Sequence, residues 1–281
     1  MEVLCDLFGK SRVGYYSVDE SRLHERELHE NAIVSMVREI RSVAPGMGAY
    51  KLFLMLKDIF GENMPGRDRF YDLMHRRHLM LPVVKCRHTT NSNHPYRKYK
   101  NLIKGFVPTA PDQLWVADIT YIDTDCGVCY LHLLTDAYTH EIIGYVLSDT
   151  LMASHTVEAL EMGISHTGAK NLEGLIHHSD RGSQYCCNKY VARLEEIKAT
   201  ISMTEDYCPT DNAIAERVNG IIKQEWLYRM KRPENSRQAE KLLRNIVCFY
   251  NERRPHMSNG YKTPKRMRDE WIKQSVEAQV L

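Results

Sequence analysis

No apolar run in this chain approaches the roughly 18 residues that a membrane-crossing helix needs, and the longest candidates are strand-sized. That excludes a helical membrane anchor within the sequence and predicts no membrane partner. The opening MEVLCDLFGK lacks the basic start and apolar core of a secretory signal. The expected location is therefore the cytoplasm, with the eight cysteines as reduced thiols. Internal repeats are absent, which excludes a repeat array. A large excess of charge of one sign is missing too, since the net value is only +2, so bulk electrostatics do not announce a nucleic-acid partner.

Local charge is uneven. Between Gly66 and Lys104 stand Arg67, Arg69, Arg76, Arg77, Lys85, Arg87, Arg97, Lys98, Lys100 and Lys104, against only Asp68 and Asp72. A basic region in a near-neutral chain suits a phosphate-binding surface, although a solvated face would read the same way.

The 281 residues are enough for one sizeable core plus a smaller module. The boundaries read as 1–28 for an N-terminal segment and 29–81 for a helical module. A basic linker over 82–111, a core over 112–231 and a helical extension over 232–281 follow. In the module, NAIVSMVREI and AYKLFLMLKDIF carry apolar residues at helical spacing, separated by Pro45-Gly46. A third helix, RDRFYDLMHRRH, would pack Phe70, Leu73 and Met74 and project Arg67, Arg69, Arg76 and Arg77 outward. Helix, turn and basic helix is the layout of a helix-turn-helix DNA reader, and equally of a plain three-helix bundle. The linker loses apolar periodicity and is expected to run extended along a phosphate backbone.

Strand periodicity takes over at Leu114. LWVADITYI, VCYLHLLTDAY and HEIIGYVL predict an antiparallel meander with a tight turn at DCGV. A helix over Ser154 to His166, the short strand GLIHHSD, a helix over Lys189 to Glu196, the strand ATISMT and a long helix from Asn212 to Met230 follow. This is the ribonuclease-H order, an α/β fold with a mixed sheet flanked by helices.

Three acids stand at telling places. Asp118 lies inside a strand, sharing a face with Leu114, Val116, Thr120 and Ile122 by period-2 counting. Burying a carboxylate there is costly unless it is paired or bound to a cation. Asp180 ends a strand just before Arg181-Gly182, and Glu216 lies one turn into a helix for which Asp211 and Asn212 are N-cap candidates. Asn219, Gly220 and Lys223 share the face of Glu216. Phosphodiester transfer wants an activated oxygen and a stabilised leaving oxygen in line across phosphorus. Two divalent ions held about 3.5–4 Å apart by carboxylates provide both. Any one acid alone is an ordinary surface residue far more often than a ligand, so only the joint pattern counts.

LWVADITYI, HHSDRGSQY and DNAIAERVNGIIKQEW resemble the three catalytic blocks of DDE transposases from bacterial insertion sequences, within the retroviral-integrase superfamily. The type resembled is split over two overlapping reading frames, this chain matching the downstream product. Thirty-five residues separate Asp180 from Glu216, the interval for which that family is named. SMT at Ser202 to Thr204, and YNERRPH with KTP between Tyr250 and Pro264, resemble further family segments. GAYKL and RFYDLMHRRHL resemble its second helix-turn-helix module. The likeness covers nearly the whole chain.

The resemblance implies a metal-dependent strand transferase in which Asp118, Asp180 and Glu216 hold two Mg²⁺ or Mn²⁺ ions. It implies that Lys223 touches the transposon end and that Gly182, Gln184 and Asn212 shape the adjoining loops, with Gly182 supplying a turn that a side chain would block. Asn219, Arg67, Arg69, Arg76, Arg77, Lys85, Arg87, Arg97 and Lys98 are the further expected DNA contacts. Expected partners are double-stranded DNA at transposon ends and target, further copies of the chain, and the upstream-frame product. One end joined to the other, then integrated, is the implied course. Departures are His140 where arginine is usual, Tyr207 where glycine is common, and Asn259 where leucine is usual.

Other residues read blandly. Cys126 and Cys129 form a CxxC without a second pair, and His75, His78, His88 and His94 do not complete a tidy zinc unit. His178 reads as a structural histidine, Cys186, Cys187 and Cys208 as thiols. Trp115, Trp226 and Trp271 read as packing residues. Asp123, Asp125 and Asp136 rank below the triad. A ribonuclease-H-like nuclease and a DNA-binding regulator derived from a transposase stay open beside the transferase.

Overall fold

The computed structural model describes residues 20–82, 96–205 and 212–280, with Leu7 and Gly9. Lys85, Arg87, His88, His94, Tyr207, Cys208 and Asp211 lie outside the described residues. The chain divides into two compact units, Met1–Val43 with Met47–Leu81, and Ala44–Gly46 with Pro82–Leu281.

The first unit holds α1 (Glu20–Val43), α2 (Ala49–Phe60) and α3 (Arg67–Arg76). Pro45 and Gly46 interrupt the helical run, and Gly61 ends α2 with a positive φ of 55° that favours glycine. Ile33, Val34, Val37, Leu52, Leu56, Phe70, Leu73 and Met74 form its buried core, whereas Ile59, counted on the same stripe, is exposed. Arg76 pairs with Glu30 at 3.0 Å, and Arg77 donates to Asn31 at 2.9 Å. These two arginines are thus engaged within the unit, while Arg67 and Arg69 remain exposed on α3.

The second unit is built on a five-stranded sheet of order β3-β2-β1-β4-β5. Its strands are β1 (Leu114–Thr124), β2 (Gly127–Asp136), β3 (Ile142–Ser148), β4 (Ile176–Ser179) and β5 (Thr200–Met203). β1, β2 and β3 form the expected antiparallel meander, and β4 and β5 join parallel to β1. Strands that must run parallel need crossover helices, supplied here by α4 (Ala153–Thr167), and by the short α5 (Ser183–Cys186) with α6 (Asn188–Glu196). α7 (Ala213–Ile222), α8 (Ser236–Glu252) and α9 (Pro264–Val280) complete the unit. This is the ribonuclease-H-like α/β order, a mixed sheet flanked by helices.

Alternation along β1 separates two apolar cores. Trp115 and Ala117 join Leu134, Leu160, Tyr185, Tyr190, Leu194 and Met203 in one cluster. Leu114 and Val116 pack with Ala137 and Ala215 in another, under α7. Asp118 belongs by parity to the α7 side.

Both sheet edges are covered, as exposed edges invite aggregation. The β5 edge receives part of the expected linker: Met203 donates to the Lys100 carbonyl at 3.3 Å and Leu102 to Ser202 Oγ at 2.9 Å. This stretch is fastened to the sheet and is not a free connector. At the β3 edge the Asn251 amide both donates to and accepts from the Ile142 backbone, at 2.9 and 3.0 Å. The long helix expected from Asn212 to Met230 is α-helical only to Ile222. Lys223–Leu227 then widens into a π turn in which Tyr228 donates to the Lys223 carbonyl at 2.9 Å.

Candidate active site

Register brings the first two acids together. In the parallel β1–β4 pair, Ala117 faces Ser179, so the next residues are Asp118, still within β1, and Asp180, just past the end of β4. Neighbouring strands are only about 4.8 Å apart, so the two acids start from neighbouring backbone positions, and the charge of Asp180 acts on Asp118. Asp118 accepts from its neighbour's backbone, Ile119 N at 2.9 Å, and from Asn219 Nδ2 at 2.7 Å. Asp180 Oδ1 accepts from Gly182 N at 2.9 Å.

The third acid arrives on α7. Ala215 anchors that helix to Leu114 and Val116, which leaves Glu216 exposed beside it. One turn on, Asn219 reaches across to Asp118. At the helix start Asn212 donates to the Ala117 carbonyl at 3.0 Å. Asn212 was expected as a side-chain cap; it makes no capping hydrogen bond and instead pins α7 to β1 one residue before Asp118.

Electrostatics mark the same place. Burial first, then Asp180, push the Asp118 carboxyl up to about 7, with Glu216 adding a weaker push and the Asn219 and Ile119 donors opposing. The residue as a whole is only half-buried, but protein surrounds its carboxylate on most sides. Among the described residues, no three His, Cys, Asp or Glu side chains are already close enough to enclose one ion. The donor set nevertheless fits a hard divalent cation: these are oxygen ligands whose mutual repulsion a cation between them would reverse.

An integrase core domain model matches residues 108–209, and a second integrase core domain model matches 197–264. A 31 kDa protein of insertion element IS600 from Shigella sonnei is 35% identical over 279 residues, covering 95% of this chain and 98% of the relative. The chain belongs to the integrase-core family of insertion-sequence transposases. The transposase of insertion sequence element IS629 from Shigella sonnei is 36% identical over 162 residues, 57% of this chain and 52% of that protein. A simian T-cell lymphotropic virus intasome structure aligns over 83% of this chain and 74% of its own, with 16% identity and a TM-score of 0.49.

Elsewhere the transposase departs from the sequence reading in instructive ways. Asn219, expected as a DNA contact, is buried and spends its amide on Asp118. Its spacing from Glu216 was the available signal, but spacing names a shared face and not a partner. Gly182 was expected at a turn that a side chain would block, and that is so, although its φ of −63° suits any residue. The constraint is space: a Cβ there would stand 2.9 Å from Asp180 Oδ1 and 3.2 Å from Gln184 Oε1. Gln184 Nε2 donates to the Leu151 carbonyl at 3.2 Å, tying the Asp180 loop to the start of α4. Lys223 is half-buried at the head of the π turn. Arg254 is buried and grips Glu225 within that turn with two hydrogen bonds of 2.7 and 2.8 Å. Arg97 lies over the Tyr99 ring at 5.0 Å, and Lys98 is exposed.

The histidines beside Asp180 are structural in their contacts. His178 Nδ1 pairs with Ser202 Oγ at 2.8 Å. His177 Nε2 pairs with Tyr190 Oη at 2.8 Å, and burial, then His178, push its ring down to about 3. Cys126 is exposed at the β1–β2 turn, whereas Cys129 is buried and donates to Asp149 at 3.3 Å.

Proposed function

We propose that the chain catalyses Mg²⁺-dependent cleavage and strand transfer of DNA at the ends of an insertion sequence, with Asp118, Asp180 and Glu216 as the metal ligands. The observation that supports it is the neighbouring placement of Asp118 in β1 and Asp180 just past the end of β4, with the Glu216 helix fastened to Asp118 through Asn219. When bound, two Mg²⁺ or Mn²⁺ ions polarise the attacking oxygen and neutralise charge at the scissile phosphate.

The chain's own groups set the geometry. Asn219 and Ile119 N hold the Asp118 carboxylate, Gly182 N holds that of Asp180, and Asn212 fixes where α7 begins. In the first step water attacks phosphorus, a P–O3′ bond breaks, and a 3′-hydroxyl is released. In the second that hydroxyl forms a new O–P bond while another strand's P–O bond breaks, so no covalent protein intermediate is needed. Lys223, seven residues beyond Glu216 and at the head of the π turn that follows α7, suits a phosphate of the transposon end. Arg67, Arg69, Arg97 and Lys98 are exposed candidates for further backbone contacts. The α1–α3 unit is read as the end-recognising module. Synapsis of two ends calls for more than one copy, with the upstream-frame product as a further partner, acting on bacterial cytoplasmic DNA.

The decisive experiment compares wild type with Asp180→Asn on end-containing DNA with Mg²⁺, the upstream region supplied. Wild type should join strands at the end, and the variant should lose joining by roughly a thousandfold while keeping its fold and DNA binding. End-independent nicking by wild type would point to a nuclease, and binding without joining to a regulator. Joining by Asp180→Asn at the wild-type rate would remove Asp180 from the reaction.

A further inference from the structure

Three tyrosines of the second unit are fully buried, and their hydroxyls fare differently. Tyr190 Oη pairs with His177 Nε2 at 2.8 Å. Tyr250 Oη donates to the His140 carbonyl at 3.0 Å. Tyr185 is 2% exposed, and its Oη has no hydrogen-bond partner among the described residues. Buried hydroxyls left unmatched cost free energy, so such a group calls for an explanation.

Its position supplies one. α5 begins directly after Asp180, Arg181 and Gly182, and Tyr185 N donates to the Gly182 carbonyl at 3.0 Å. The ring is fixed by packing: its centroid lies 5.5 Å from that of Tyr190, nearly edge-on, and 6.5 Å from that of His177. It shares the apolar cluster with Trp115 and Ala117, the residues leading to Asp118. Burial first, then Asp118, then Asp180 hold its proton in place well above the ordinary phenol range. The hydroxyl is therefore a donor at every working pH, in the field of the two carboxylates that would receive it. For apolar packing alone, phenylalanine would serve as well.

We propose that Tyr185 is a positioning residue of the transposase, its hydroxyl donating to the Asp118 or Asp180 carboxylate once those acids turn to hold a divalent cation, and standing unmatched until then. Groups just outside a set of ligands orient them and raise their grip on the ion, and losing one typically weakens binding about tenfold to a hundredfold. The inference rests on the proposed metal site, and its test is arranged so that the two fail separately.

The full chain, Tyr185→Phe and Asp180→Asn would each be titrated with Mn²⁺, free ion being followed by electron paramagnetic resonance. Thermal unfolding would be measured with and without Mn²⁺. Tyr185→Phe should bind Mn²⁺ about tenfold more weakly and gain less thermal stability from it. Without the ion its unfolding midpoint should equal or exceed that of wild type, because an unmatched hydroxyl has been removed. A lower ion-free midpoint would mean that the hydroxyl already serves the free fold, and would overturn the proposal. So would wild-type Mn²⁺ affinity in Tyr185→Phe alongside loss of binding in Asp180→Asn. Wild-type affinity in Asp180→Asn would instead bring down the metal site itself, and this inference with it.

Discussion

Two places on the same sheet gather three acids each, and they treat charge in opposite ways. At one, Asp112, Asp136 and Glu141 surround the guanidinium of Arg268 from α9. It makes bonds of 2.8 and 3.2 Å to Asp112, a hydrogen bond to Glu141, and lies 3.9 Å from Asp136. His166 adds a contact to Glu141 at 3.3 Å, and Trp115 Nε1 donates to Asp112 at 2.9 Å. Asp112 accepts a positive φ of 62° to take this position. At the other place, the donors to Asp118 among the described residues are neutral, Asn219 and the Ile119 backbone, while Asp180 and Glu216 push against its ionisation. Acids that the fold neutralises by itself are architecture. Acids that repel each other beside a strand end, as Asp118 and Asp180 do, fit the cation that the proposed function would bring to them. That contrast separates Asp136 from Asp118, although both sit in buried stretches of neighbouring strands.

The largest effect that probes this contrast is expected at Arg268. Arg268→Met removes the cation from a buried network and leaves Asp112, Asp136 and Glu141 facing one another. Breaking a buried pair from one side should cost about 3–5 kcal/mol, read as a lower urea midpoint. A loss under about 1 kcal/mol, the level of a surface ion pair, would show that α9 is an accessory and not a clamp.

A smaller effect of opposite sign is expected at Asp118. The carboxyl titrates at about 7 in the fold and near 4 in an unfolded chain. Between those values the folded protein holds a proton that the unfolded chain has released. Stability is therefore lost as pH rises from about 4 to 7 and levels off above. Asp118→Asn, measured without divalent ions, should remove that loss, so its advantage over wild type should grow between pH 5 and pH 8. Parallel pH profiles for the two proteins would mean that Asp118 ionises freely, and the contrast between the two acid groups would fall.

Legibility followed the range of the interaction. Elements that carry their own periodicity and stops were readable: AYKLFLMLKDIF is a helix over Ala49–Phe60, and the meander runs as its alternation predicts. The three acids were readable as separate residues on two strands and a helix. Their register was not, since nothing in GLIHHSD says that Ser179 will stand beside Ala117. Asn219 shows why: it stands 101 positions along the chain from the carboxylate it serves. The same holds for Arg268, 127 residues from Glu141. The π turn at Lys223–Leu227 was hidden because Arg254, which grips Glu225 there, comes from just past the far end of α8. Local propensity cannot anticipate a distant partner.

His140 and Asn259 give that lesson its finest test. In the sequence they are two unrelated departures, one where the resembled family favours arginine and the other where it favours leucine. In the fold they meet: His140 Nδ1 and Asn259 Oδ1 are 2.9 Å apart, and Asn259 Nδ2 donates to the Thr139 carbonyl at 2.6 Å. His140 also stacks on His256 at 4.4 Å and bends the β2–β3 connection through a positive φ of 58°. If the departures compensate, each reversion alone strips a buried polar group of its partner, while the double reversion removes both members together. His140→Arg and Asn259→Leu should therefore each destabilise, and the pair should cost less than their sum by about 0.5–1.5 kcal/mol in a double-mutant cycle. Simple additivity would mean that the two positions drifted independently, and that the tail is held to the sheet by Asn251 and Arg268 without help from this pair.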